Sequence, residues 1–280
     1  MERLLIVDGS NLLFQMFFGM PARIVNKQGK AIQGTLGFVG ALLKMIRKIE
    51  PTHIAVLFDG EHENDRSALD ADYKANRVDY SELPEEETPF SQLPDILAAL
   101  DYLHIKHAET VICEADDWIS GYALTYGTET EMIISSFDSD FFQLITDKVS
   151  VLRYRGDHTV ICTPDYIREK FCISPSQYAD FKSLTGDTSD NIRGADKVGP
   201  KTAALLLNEF GTLDHILANA EKINKPSIKA SIIKSTERLK INYHLIKLGN
   251  TAPLPFALHE LGYHDHGMTT NEVMKGIGLR

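Results

Sequence analysis

Short apolar runs that end on aspartate constrain this chain more than any other feature. Leu4–Val7 runs into Asp8, Ile54–Phe58 into Asp59, and Met132–Ile134 leads to Asp138 and Asp140. An apolar run of this length bounded by polar residues reads as a strand buried on both faces. Between the first two runs, Leu36, Val39, Leu42, Leu43 and Ile46 recur at helical spacing within Thr35–Ile49. The order is therefore β-α-β, which predicts a parallel sheet covered by helices, with ligands at the carboxyl ends of the strands. Those ends are where the aspartates lie, and a purely structural protein has little reason to put them there.

A denser acidic stretch, Ile112–Cys–Glu–Ala–Asp–Asp–Trp118, opens a predicted helix from Ala115 to about Tyr126. Glu114 and Asp117 are three apart and share a face, with Asp116 beside them. Alone, this stretch is compatible with an acidic cap on the helix dipole. Asp138 and Asp140 are spaced to point the same way if they lie on a strand. Asp187 and Asp190 lie in Gly186–Asp–Thr–Ser–Asp–Asn191, which alone is compatible with an Asx turn. Together these are nine carboxylates in five segments. Brought together they repel, so the fold needs divalent cations to hold them. Oxygen ligands with no histidine beside them suit Mg²⁺ or Mn²⁺ rather than zinc. Two such ions side by side are the usual machinery of phosphodiester hydrolysis.

Net charge is −10, which at first argues against a nucleic-acid partner. The charge is uneven: residues 1–171 hold 16 basic and 28 acidic residues, whereas 172–280 hold 13 and 11. Local basic patches, not the total, decide binding of a polyanion. From Lys182 to Lys247 there are 11 basic and 7 acidic residues, two of the latter being Asp187 and Asp190. At 43% hydrophobic and 24% charged residues, the composition is that of an ordinary soluble globular protein. Its apolar runs are too short to span a bilayer. The N-terminus shows no secretory pattern, and Cys113, Cys162 and Cys172 show no CxxC spacing. Buried free thiols in the cytoplasm are expected.

Residues 60–89 are almost entirely polar, a long connection of the kind that forms a mobile surface loop or a lid. Val149–Tyr154 and His158–Cys162 read as a hairpin, and Phe141–Ile145 as a short helix. Beyond Cys172 only helices are expected until the tail. Two of them flank a glycine-rich turn, Arg193–Gly–Ala–Asp–Lys–Val–Gly–Pro–Lys–Thr202. There glycines allow close backbone approach to a phosphate, and the next helix N-terminus supplies N–H donors. His264–Asp265–His266 reads as surface and Trp118 as core.

In order, Val7–Asp–Gly–Ser–Asn11, Leu57–Phe–Asp59, Tyr73–Lys–Ala–Asn–Arg77, Glu114–Ala–Asp–Asp117, Asp138–Ser–Asp140, Gly186–Asp–Thr–Ser–Asp–Asn–Ile192 and Val198–Gly–Pro–Lys–Thr–Ala203 form a specific combination. The chain resembles the bacterial and phage 5′ nuclease family. That family comprises the 5′–3′ exonuclease and flap endonuclease domain at the N-terminus of DNA polymerase I and its stand-alone relatives. The resemblance implies an α/β fold: a PIN-like catalytic domain over 1–171, with a helical arch at about 60–90, and a helical DNA-binding region over 172–280, with a helix–three-turn–helix at about 184–211. It implies two Mg²⁺ ions, replaceable by Mn²⁺. Asp8, Asp59, Glu114, Asp116 and Asp138 would lie around one ion or its waters, and Asp117, Asp140, Asp187 and Asp190 toward the other. Lys74 and Arg77 would stabilise the scissile phosphate, and Tyr73 would stack on a base. Arg193, Gly194, Gly199, Lys201 and Thr202 would hold duplex DNA, around a K⁺ ion. The acidic Leu83–Pro–Glu–Glu–Glu87 stretch departs from what a DNA-gripping arch would carry. The implied protein is a monomer acting on 5′ flaps, 5′ ends and branched duplexes, with polymerase activity expected from a separate protein because the sequence ends at Arg280. Two alternatives stay open: a PIN-like ribonuclease, and a non-catalytic binder of DNA junctions.

Overall fold

A computed structural model describes residues 2–20, 22–60, 73–75, 80, 84, 87–111, 113–249 and 252–280. Strand β1 (Arg3–Asp8) lies inside a six-stranded sheet. On one side are β2 (His53–Phe58) and then β3 (Lys106–Glu109); on the other are β4 (Glu131–Ser135), β5 (Val149–Arg153) and β6 (Val160–Cys162). The first five strands are parallel, and β6 turns back antiparallel on β5. The chain steps outward from β1 to β3 and then returns to pair β4 with the free side of β1. Such a reversal opens a crevice at the carboxyl ends of the two central strands. Asp8 ends β1, and Asp138 follows three residues after β4.

Successive strand residues point to opposite faces, and the buried residues sort accordingly. Leu5 and Val7 join a cluster with Leu12 and Leu13 of α1 (Gly9–Gly19), Phe38 and Leu42 of α2 (Gln33–Ile49) and Ile96 of α3 (Leu93–Tyr102). Leu4 and Ile6 join the other cluster with Ile119 and Tyr122 of α4 (Ala115–Tyr126). Each such fully buried aliphatic side chain contributes about 1.5–3 kcal/mol, which offsets the cost of gathering acids at the strand ends. The second cluster continues without a break into the C-terminal helices. It takes in Ile167 of α5 (Pro164–Phe171), Phe181 of α6 (Tyr178–Thr185), Leu207 of α7 (Pro200–Phe210), Ile216 of α8 (Leu213–Ala218) and Ile232 of α9 (Pro226–Ile246). One apolar body therefore carries both the sheet and the helices. Val273 of α10 (Thr270–Gly276) packs on the opposite face.

Several expectations change. The region after Cys172 is not purely helical: β7 (Gly186–Asp187) and β8 (Ile192–Arg193) form a small antiparallel ribbon. Gly186 has φ 81°, and a Cβ on Gly194 would lie 2.5 Å from the Gly186 nitrogen, so backbone passes backbone where only glycine fits. Asp138 and Asp140 are past the strand in an Asx turn, the Asp140 N–H donating to Asp138 Oδ1 at 2.8 Å. The segment after it is a 3₁₀ helix, Asp140–Leu144. Of the thiols, all free, Cys162 is buried, Cys113 half-buried and Cys172 exposed, the last in the left-handed region at the end of α5. Most of the expected arch at 60–90, Arg77 included, lies outside the described residues. Among the described residues no helix is long and apolar enough to cross a membrane.

Candidate active site

The five acidic segments are tied to one another at the carboxyl end of the sheet. Asp8 caps α1 by accepting the Asn11 N–H at 2.9 Å. Its other oxygen accepts from Ser136 Oγ at 2.7 Å, and Ser136 Oγ accepts the Asp138 N–H at 2.9 Å. Ser136 thus joins the ends of β1 and β4. Asn11 Oδ1 accepts the Phe137 N–H at 3.0 Å and reinforces the joint. Across β2, the Asp59 N–H donates to Ser10 Oγ at 2.8 Å, while Asp59 Oδ1 accepts the Ala115 N–H at 2.8 Å. That bond draws the start of α4 toward the crevice. Gly9 lets the turn after β1 close on β2, since a Cβ there would sit 2.5 Å from the Phe58 ring.

The charges show what this assembly lacks. Burial, then the Asp59 carboxylate, push Asp8 up to about 7; Asp138 adds a smaller push. Asp116 is held well above the carboxylate range by burial and then by Asp138, Asp59, Asp8 and Glu114. Four segments thus contribute acids that penalise each other's ionisation. Such a cluster ionises fully only with cations among its oxygens.

A second group adjoins the first through the Asp138–Asp140 turn. Asp140, Asp187 and Asp190 each offer a carboxylate oxygen within 4.8 Å of the others. Asp187 Oδ1 accepts the Ser189 N–H at 3.0 Å and Ser189 Oγ at 2.6 Å, which orients it on the ribbon. Into this group reaches Lys182 from α6, an ammonium 2.5 Å from Asp187 Oδ2 and also paired with Asp140. Burial lifts Asp140 to about 7 against the pull of Lys182. Burial also acts to raise Asp187, but Lys182 and the Ser189 hydrogen bonds outweigh it and hold Asp187 below its ordinary range. For Lys182 burial acts downward, and Asp140, Asp138 and Asp187 overcome it and hold the ammonium above the usual lysine range. Three carboxylates in reach of one point, with oxygen donors only, fit a hard divalent cation.

Asp117 is not in this close grouping; its Oδ2 accepts the Glu114 N–H at 3.2 Å at the start of α4. Lys74 pairs with Glu114 and donates its backbone N–H to the Asp190 carbonyl at 3.0 Å. Tyr73 is buried, packed against Ala179, Ile192, Leu245 and Ile246, with the Lys74 ammonium 4.9 Å from its ring centroid. Its ring packs against the C-terminal helices. In the glycine-rich turn, Lys201 is exposed and Thr202 half-buried in the first turn of α7, and Gly199 precedes that helix with open space around it. The exposed Arg193 pairs with Asp196 at 2.8 Å, and Gly194 is required by packing on the ribbon. His264 and His266 are exposed and Trp118 packs against the core, as expected. Lys182, Ser136 and Asn11 escaped the sequence reading as parts of the site. The available signal for Lys182 was a lysine between Phe181 and Leu184 on a predicted helix, five residues before Asp187.

Comparison with known proteins agrees with this geometry. Residues 3–172 match the 5′-3′ exonuclease N-terminal resolvase-like domain, and residues 173–268 match the 5′-3′ exonuclease C-terminal SAM fold. DNA polymerase I of Lactococcus lactis subsp. cremoris is 33% identical over 267 residues, 92% of this chain and 30% of the relative. The thermostable DNA polymerase I of Thermus aquaticus is 33% identical over 253 residues, 90% of this chain and 29% of the relative. The chain thus spans about 30% of the length of such curated relatives. Among solved structures, T5 5′-exonuclease with bound zinc superposes with a TM-score of 0.71 at 24% identity, covering 88% of this chain and 89% of that one. The catalytic core of Rad2 in complex with DNA substrate gives 0.60 at 12% identity, covering 99% and 93%. At these identities the two structural likenesses speak to the fold.

Proposed function

Because the chain belongs to the 5′-3′ exonuclease family, we propose that its carboxylate crevice hydrolyses DNA phosphodiesters at 5′ ends, 5′ flaps and branched duplexes. The observation that carries this reading is the joining of two acidic groups at the sheet's carboxyl edge, one of them with three oxygens within 4.8 Å. Asp8, Asp59, Glu114, Asp116 and Asp138 would hold one Mg²⁺ or its waters, and Asp117, Asp140, Asp187 and Asp190 the second; Mn²⁺ fits the same donors. When bound, the two ions supply charge stabilisation to the phosphate and activate water. The carboxylates orient that water for attack on phosphorus, leaving a 5′-phosphate on the downstream product. Lys74 and Arg77 would present fixed positive charge to the same phosphate. Arg193, Gly194, Gly199, Lys201 and Thr202 would hold duplex DNA downstream, with K⁺ at the turn. The biological task that fits is removal of primers or flaps in cytoplasmic DNA replication and repair, by a monomer.

A 5′-flap DNA labelled at either end, incubated with the protein in Mg²⁺, Mn²⁺ or EDTA, tests the reading. Metal-dependent cuts near the junction are expected, and their lengths separate flap cutting from trimming. Binding without cleavage in either metal would replace the nuclease by a junction-binding protein. Preference for a matched RNA flap would replace it by a ribonuclease.

A further inference from the structure

Lys182 sits where a cation is needed. It lies on α6 between Phe181 and Leu184 of the core, and only 6% of it is exposed. Its ammonium pairs with Asp140 and with Asp187, two of the three acids whose oxygens cluster within 4.8 Å. A buried ammonium is tolerated only when carboxylates satisfy it, and buried carboxylates only when a cation does. Lysine and acids therefore balance each other in the metal-free protein. A divalent ion entering the group needs the same oxygens and repels the ammonium already on them.

We infer that Lys182 is the resident counter-cation of the Asp140–Asp187–Asp190 group, holding its carboxylates together until a divalent ion displaces it. This inference rests on the nuclease reading and adds an order to it. The group around Asp8 fills first, because Lys74 pairs there with Glu114, one of its five acids, whereas Lys182 pairs with two of the three acids whose oxygens cluster in the other group. The group around Asp140 fills second, and more weakly, because the ion must evict Lys182. A DNA phosphate in the crevice offers the displaced ammonium a new partner, so DNA and the second ion favour each other's binding. Lys182 is in this sense a positioning residue, acting through the ligands.

The test is Mn²⁺ binding to the full chain without DNA, followed by electron paramagnetic resonance and calorimetry, for the wild type and Lys182→Met. The wild type should take one ion tightly and a second weakly. In Lys182→Met the second constant should tighten by about tenfold or more, with the first unchanged. Adding a product duplex should tighten the second ion in the wild type and have little further effect in the variant. A purely structural lysine would give the opposite result, weaker binding of the second ion. That outcome, or an unchanged second constant in a cooperatively melting variant, overturns the inference. If Lys182→Met fails to fold in EDTA, Lys182→Gln, which keeps a polar head, is titrated under the same criteria. Absence of any bound Mn²⁺ in the wild type and variants alike would instead remove the nuclease reading beneath it.

Discussion

The Lys74 backbone N–H donates to the Asp190 carbonyl at 3.0 Å, and the Lys74 ammonium pairs with Glu114. One residue from the long polar connection therefore touches both acidic groups: Glu114 at the start of α4 and Asp190 in the turn between β7 and β8. Tyr73 fixes this arrangement from below, its ring wedged against Leu245 and Ile246 at the end of α9. The same end of α9 is held by Gln143, which donates to the Ile246 carbonyl at 3.0 Å and accepts the Leu248 N–H at 2.9 Å. The base of the connection, the C-terminal helices and the Asp140 turn are thus one mechanical unit.

That unit predicts a separation between the two neighbours. Tyr73→Ala should lose apolar packing, lower stability by about 2–4 kcal/mol and reduce cleavage by misplacing Lys74. Tyr73→Phe should retain most of both. Lys74→Ala should leave the melting temperature nearly unchanged and lower the cleavage rate by about 10²-fold. Thermal melts paired with single-turnover flap cleavage separate these outcomes, and equal melting of Tyr73→Ala and the wild type would show that the ring is not an anchor.

Asp187→Asn keeps the size of the side chain and the Ser189 bonds can still reach its amide oxygen, but a ligand charge is gone. Cleavage should fall by about 10²-fold or more while the fold survives. Near-normal turnover at limiting Mg²⁺ would contradict the assignment of this acid.

The metal-free protein should lose stability as pH rises toward neutrality. Asp8 has an ordinary value of 3.8 and is lifted to about 7 in the fold. Between those values the folded state holds a proton that the unfolded state has released, so this group's contribution to stability falls as pH rises from 3.8 to about 7. In EDTA at pH 8, Asp8→Asn should therefore be more stable than the wild type, by roughly 1–3 kcal/mol. At pH 5 the difference should shrink. Mg²⁺ should release protons on binding near pH 6.5 and raise the wild-type melting temperature more at pH 8 than at pH 5.5. Chemical denaturation across pH, with and without Mg²⁺, measures each sign.

Lys201 is exposed in the first turn of α7. Lys201→Ala should weaken duplex binding similarly for all sequences and reduce the slope of log affinity against log salt by about one. An unchanged slope would mean that this turn does not meet a phosphate.

Gly194→Ala puts a Cβ 2.3 Å from the Thr185 carbonyl carbon. Overpacking there should cost about 1–3 kcal/mol and, because the ribbon carries Asp187, should weaken Mn²⁺ binding as well. Calorimetry on the variant reads both effects.

Much of the architecture was legible because the signals were local. Glu131–Ser135 and the Ala115–Tyr126 helix fall where hydrophobic pattern and cap residues put them. The hairpin of β5 and β6 likewise follows its turn. The small ribbon at Gly186–Arg193 was hidden because a two-residue pairing has no periodicity; it exists because Gly186 and Gly194 let two backbones pass. The packing of Tyr73 on Leu245 was hidden because the two residues are far apart in sequence and an aromatic beside basic residues carries no mark of its tertiary neighbours.

The amino-acid order alone determined that acids would gather at the carboxyl edge of a parallel sheet, because strand ends and β-α-β connections are encoded by residues close in sequence. It determined the ligand chemistry as well, since carboxylates without histidine or thiolate partners suit hard cations. Tertiary structure decided which acid meets which. Ser136 bonds to Asp8 from 128 residues away, and Lys182 pairs with Asp140 from 42 away. Burial and mutual repulsion are properties of that assembled crevice, and so are the raised carboxyls of Asp8 and Asp140 and the counter-cation lodged among them.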